Sequence, residues 1–202
     1  MSLPPIATPT YGAGGNFTIA CSTRIPATPT QCLDVVLDAP DYPKWNTFCR
    51  KCTIDVPSST PSPPDAPSGD GYLTLGTKFT FDVHTGPAAV NDDGGAGRPT
   101  PLELSVLERI DATAEDGRRG WRVAWRMRPS LALPGFMLRA ERIQEFVEAE
   151  DGNETDYACW ETFYGVLAPV VRLAVGSKLT PAFDAWNSGL KARVEELRKG
   201  GK

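Results

Sequence analysis

The sequence predicts an α+β domain in which a curved, mostly antiparallel seven-stranded sheet wraps around a long C-terminal helix. Three observations carry this. Alternating, β-branched or aromatic runs recur along the chain, and after residue 100 four of them follow one another as a meander. Asp151-Gly152 separates two alternating runs, a strong short-range hairpin signal. Finally, Phe183, Trp186, Leu190, Val194 and Leu197 step by three and four, giving the last segment one apolar stripe.

Taken in order, residues 16–25 (NFTIACSTRI) read as the first strand. Residues 29–38 place Leu33, Val36 and Leu37 at helical spacing, with Thr28 or Thr30 as cap. Pro40 and Pro43 leave room for one short turn at 41–46. Strands follow at 47–56, 76–83, 102–110, 121–128, 136–150 and 155–165. The Pro- and Ser-rich stretch 57–71 and the Gly-rich stretch 86–100 read as mobile loops within one domain, 16–198, and residues 1–15 as a flexible tail. The end of the chain reads as two helical pieces, the first stopping near Gly176 and the second capped by Thr180 with Pro181 at its first position. A sheet curved this strongly needs a cover for its concave face. The terminal helix is the only element long enough, an arrangement that leaves a cavity at one end.

Composition narrows the function. A net charge of −4 gives no electrostatic reason for a nucleic-acid or anionic-membrane partner, and no apolar run is long enough to span a bilayer. Five cysteines, an odd number, and a start without a basic or apolar leader pattern fit a reducing, cytoplasmic setting. No cofactor-binding motif is present, and with one histidine, His84, at a strand end beside a loop, neither a His-rich metal site nor a His-based nucleophilic system is expected. Cys49 and Cys52 form a CxxC. Positions i and i+3 of a strand face opposite ways, so the pair should neither bridge nor share a metal.

If Asp151 and Gly152 are the hairpin loop, opposed positions sum to 303: Phe146 faces Tyr157, Gln144 faces Cys159, and Arg142 faces Glu161. Those residues share one face with Ala140, Leu138, Phe136 and Phe163, while Arg139, Glu141 and Glu145 lie on the other. Arg142 and Glu161 should then form a cross-strand ion pair on the concave side, either as a structural bridge or as a pair that orients a ligand group or moves a proton.

The order TRIPATPTQCLDVVLDAPDYPKWNTF, LPGFMLRAERIQEF and ETFYGVLAPVVRLAVGSKLTPAFDAWNSGLKARVEE resembles the START-like (SRPBCC, helix-grip) superfamily, and within it the polyketide cyclase/dehydrase branch, over roughly residues 16–198. The most specific pieces are Tyr42-Pro43-x-Trp45-Asn46, Glu161-x-Phe163-x-Gly165 and Phe183-x-x-x-Asn187-x-x-Leu190-Lys191. The resemblance implies a deep apolar cavity, with Trp45 and Phe48 at the mouth, Phe79, Phe81 and Trp125 on the sheet, and Phe183, Trp186 and Asn187 on the helix. Phe136, Gln144 and Phe163 join this set through the hairpin register. It further implies a monomer or homodimer that binds a hydrophobic small molecule without a cofactor. Such a protein is either a cyclase-like enzyme using Arg142 and Glu161 or a non-catalytic carrier of a lipid or other hydrophobic ligand. A partner-regulating chaperone module is a weaker third implication.

Overall fold

The structure is a computed structural model describing residues 4–84, 97–111, 117, 119–150 and 152–200. It contains seven strands: β1 (Phe17–Ile25), β2 (Cys49–Val56), β3 (Lys78–Val83), β4 (Arg98–Ile110), β5 (Gly120–Met127), β6 (Arg139–Glu148) and β7 (Thr155–Tyr164). Helices α1 (Pro29–Leu37) and α2 (Tyr42–Trp45) separate β1 from β2, and α3 (Ala168–Gly200) ends the chain. The sheet order is β1-β7-β6-β5-β4-β3-β2, with every neighbouring pair antiparallel.

Local chemistry sets the element starts. Thr28 caps α1 by accepting from the Gln31 N–H, and the Gln31 side chain accepts in return from the Thr28 N–H, a complete capping box. Asn46 closes α2 and accepts from the Phe48 and Cys49 N–H groups at 3.1 and 2.7 Å, which steers the chain into β2. The β6–β7 register is the one expected, with Arg142 opposite Glu161 and Gln144 opposite Cys159. The turn is wider than two residues: Ala149 N–H bonds the Glu154 carbonyl, and Gly152 N–H bonds the Ala149 carbonyl.

Several expectations need correction. Helix α3 is one element, not two, and Pro181 lies inside it. A helix-interior proline costs about 3 kcal/mol. Leu179, Ala182 and Phe183, all buried on either side of it, hold the helix through the break. Strand β4 starts at Arg98, not 102, so the end of the expected loop 86–100 is strand, and its residues 86–96 lie outside those described. Pro99 and Pro101 are tolerated there because the β5 ladder begins only at Leu102, leaving one side of this stretch with fewer N–H groups to supply. Strand β6 starts at Arg139 because the preceding residues turn back on Pro134, whose carbonyl takes the N–H groups of Met137 and Leu138. The Pro/Ser-rich stretch 57–71 is pinned at its end, with Asp65 paired to Arg109, Ala66 buried and the Gly71 carbonyl bonded by Ala39 N–H.

Residues 4–15 are not a free tail. They lie on the outer face of the sheet, where the buried Glu141 carboxylate accepts from the Thr10 N–H, the Thr10 hydroxyl and the Ser105 hydroxyl. Tyr164 donates to the Thr8 hydroxyl or the Gly12 carbonyl and packs edge-on against Tyr11. Thr10→Ala should cost about 1 kcal/mol, because it removes a bond to a buried charged acceptor while the backbone bond remains. Urea denaturation would read this as a lower midpoint at unchanged slope.

On the inner face, α3 is clamped to the α1–α2 block. Arg193 grips Asp41 through two bonds of 2.7 and 2.9 Å, both side chains nearly buried. Tyr42, Trp45, Phe81, Trp125 and Trp186 form an aromatic nest with adjacent ring centroids 5.0–6.3 Å apart.

Candidate functional site

A cavity of about 380 Å³ opens between the inner sheet face and the N-terminal half of α3. Its walls are mostly apolar, with Phe48, Phe81, Trp125, Met127 and Phe163 from the sheet side and Leu133, Val171 and Leu179 completing the lining, and Arg98, Thr100, Arg128 and Ser130 add polar groups. Arg142, Glu161 and Cys49 also line it.

Arg142 lies on β6, the third strand of the sheet, and is 4% exposed. Its guanidinium carbon lies 4.2 Å from the Phe183 ring centroid and 4.3 Å from that of Trp186, and its Nε donates to Cys159 Sγ at 3.1 Å. These contacts fix the planar group by stacking and one bond. Nη2 is buried without a partner. Burial works against the charge, but Cys159, Tyr157, Glu161 and Cys49 around it more than compensate, so Arg142 stays cationic.

The expected Arg142–Glu161 ion pair is not made. The two are opposed in register, but the guanidinium turns to Cys159 and the two helix rings instead. Glu161 is therefore a carboxyl without a direct cation. Burial pushes its pKa up from an ordinary 4.5 to about 7, against the pull of Arg142 and with a push from Cys159. Burial raises the Cys159 thiol, but a hydrogen bond with Cys21 and the Arg142 guanidinium outweigh it and hold the thiol below its ordinary value.

Of the other residues singled out from sequence, Phe48, Phe81, Trp125 and Phe163 line the cavity. Trp45, Phe79, Phe183, Trp186, Gln144 and Asn187 lie beside it in the packed interior: Gln144 accepts from the Tyr157 hydroxyl at 2.6 Å, and Asn187 from the Cys21 thiol. Phe136 is 72% exposed, because β6 begins three residues later and 136 belongs to the turn. His84 pairs with Asp82 at 2.9 Å.

The opposite-face placement expected for Cys49 and Cys52 fails on register, although both are free thiols. Cys49 faces Val83 and Lys51 faces Asp82, so Arg50 is an extra residue on β2. This β-bulge shifts the alternation by one, and Cys49 and Cys52 both point into the core. Burial raises both thiols far above their ordinary range. Among the described residues no group of three or more His, Cys, Asp and Glu side chains could hold a metal. Sequence reading missed Cys49 as a cavity residue because nothing in CRKCTIDV signals the bulge. It missed Arg98 and Pro99 because the start of β4 read as loop.

An antiparallel sheet closed over one long helix around a mostly apolar cavity is the helix-grip, or START-like, fold. No protein-family model matches the chain. It is 32% identical over 168 residues to oxopyrrolidines biosynthesis cluster protein O of Penicillium oxalicum, a match covering 79% of this chain and 77% of that one. The chain belongs to the family of that biosynthesis-cluster protein. Among solved structures, a hypothetical protein from Helicobacter pylori superposes with TM-score 0.61 at 14% identity, over 96% of this chain and 99% of that one. A START superfamily protein from Mycobacterium smegmatis gives 0.55 at 16%, over 89% and 98%. A norcoclaurine synthase point mutant from Thalictrum flavum, in complex with a transition-state analogue, gives 0.54 at 12%, over 90% and 95%. No described helix is long and apolar enough to cross a membrane.

Proposed function

We propose that this protein is a cyclase-like enzyme of secondary metabolism that binds an apolar, enolisable precursor in its cavity and folds it for intramolecular carbon–carbon bond formation. The observation that carries this reading is the placement of a buried, partly unpartnered guanidinium and an unpaired carboxyl opposite each other in a mostly apolar cavity. Glu161 takes a proton from the carbon next to a substrate carbonyl. The resulting oxyanion rests on Arg142 Nη2. The carbanionic carbon then attacks a second carbonyl of the same chain, and the new alkoxide recovers the proton from Glu161. A base near pKa 7 suits proton removal at neutral pH. Kinship with a biosynthesis-cluster protein supports the metabolic setting.

The decisive measurement is mass spectrometry of the small molecule that co-purifies with the full chain, followed by turnover of that molecule. Arg142→Met should retain binding to within about tenfold and lose roughly 100-fold or more in kcat, the usual size of an oxyanion-donor loss. If the molecule returns chemically unchanged with parent and variant alike, the protein is a carrier and the pair serves only affinity.

A further inference from the structure

The proposed reaction leaves the one thiol that lines the cavity among the described residues unused. Cys49 lines the same space as Arg142 and Glu161, and the three groups feel one another electrostatically: Arg142 and Glu161 both act on the Cys49 thiol, and Cys49 acts on Arg142. The bulge at Arg50 and the two N–H bonds to Asn46 place Cys49 there. The other thiols differ. Cys32, Cys52 and Cys159 are buried and do not line the cavity, and Cys21 is half-buried against Asn187.

We propose that Cys49 makes the cavity a thiol-addition site for apolar α,β-unsaturated carbonyl compounds, with Glu161 receiving the thiol proton and Arg142 holding the carbonyl oxygen. This rests on the roles proposed above for Arg142 and Glu161. A carbonyl oxygen bound at the open Nη2 polarises the conjugated double bond. The sulfur forms its bond to the β-carbon as the thiol proton passes to the Glu161 carboxylate, and the π electrons move to the oxygen as an enolate. Glu161 then returns that proton to the α-carbon, leaving a saturated ketone bonded to sulfur. No oxidant or reductant is consumed. The charge count of the cavity is constant throughout, since negative charge moves from Glu161 to the oxygen beside Arg142. Burial keeps the thiol protonated in the empty cavity, so the site is silent until an electrophile presents its oxygen to Arg142.

The probe pair is benzylideneacetone and its saturated counterpart benzylacetone, used with the full chain. Tryptophan fluorescence reports non-covalent binding, and intact-mass and peptide mapping report addition. The expected result is binding of both ketones, one added equivalent of benzylideneacetone mapped to Cys49, and no adduct in Cys49→Ser, which still binds benzylacetone. Glu161→Gln should bind benzylacetone and add the enone roughly 100-fold more slowly. The parent rate should climb through about pH 7 as Glu161 ionises under the influence of Arg142, Cys159 and Cys49 around it. Binding of benzylacetone with no adduct, or with the adduct on the half-buried Cys21, overturns this proposal and leaves the cavity reading standing. Failure of both ketones to bind or react overturns both.

Discussion

Glu161→Gln is expected to stabilise the fold at pH 8 by about 2 kcal/mol while removing turnover. Glu161 titrates near 7 in the folded chain and at an ordinary 4.5 when unfolded. Between those values the folded state holds the extra proton, so stability falls as pH rises from about 4.5 and levels off above about 7. The full shift is worth roughly 3 kcal/mol. Water entering by the cavity mouth screens part of it. A neutral amide of the same shape removes this slope, so parent and variant should have similar urea midpoints at pH 4.5 and diverge toward pH 8. In the parent, kcat/KM should rise through about pH 7, as the base form accumulates. In the variant it should be flat and lower by a factor of roughly 100 or more. Equal midpoints at pH 8 would mean that the carboxyl is solvated and not held neutral by burial.

Gly189→Ala is expected to lower the melting temperature by several degrees, although alanine is the better helix former. A Cβ at 189 would run into the Trp45 carbonyl oxygen and sit 3.4 Å from its ring. Neither neighbour is a flexible side-chain end. One is backbone of α2, and the other belongs to the aromatic nest. Overpacking against backbone and a packed ring falls at about 2–3 kcal/mol, the upper part of the usual range, and outweighs the roughly 1 kcal/mol gained in helix propensity. For a chain of this length a net loss of 1–2 kcal/mol lowers Tm by about 2–8 °C, which calorimetry would resolve. An unchanged or higher Tm would show that α3 can move away from Trp45.

The fold was legible because its signals are local or periodic. The apolar stripe of α3, the hairpin register of β6 and β7 and the proline-broken turn at Tyr42–Trp45 each depend on spacings that a sequence displays. The site was legible only in part. Arg142 and Glu161 come from the register alone, but their failure to pair does not. That depends on the guanidinium lying over the Phe183 and Trp186 rings of a helix some forty residues away, a contact no local pattern encodes. Phe136 was misplaced because the alternation of FMLRAERI continues smoothly through a turn that Pro134 closes by backbone bonds. The N-terminal segment read as tail because its anchor, Glu141, looks like any outward-facing strand carboxylate.

The extra residue on β2 has a consequence of its own. It divides the strand into two reading frames: Cys49 is counted from Asn46, and Cys52 and Ile54 are counted from β3. Deleting Arg50 would merge the frames. Either the cavity loses its thiol or the core loses Cys52 and Ile54, and the chain cannot keep both. A residue whose own side chain takes no part in the cavity thus sets, by arithmetic alone, which atoms the cavity contains.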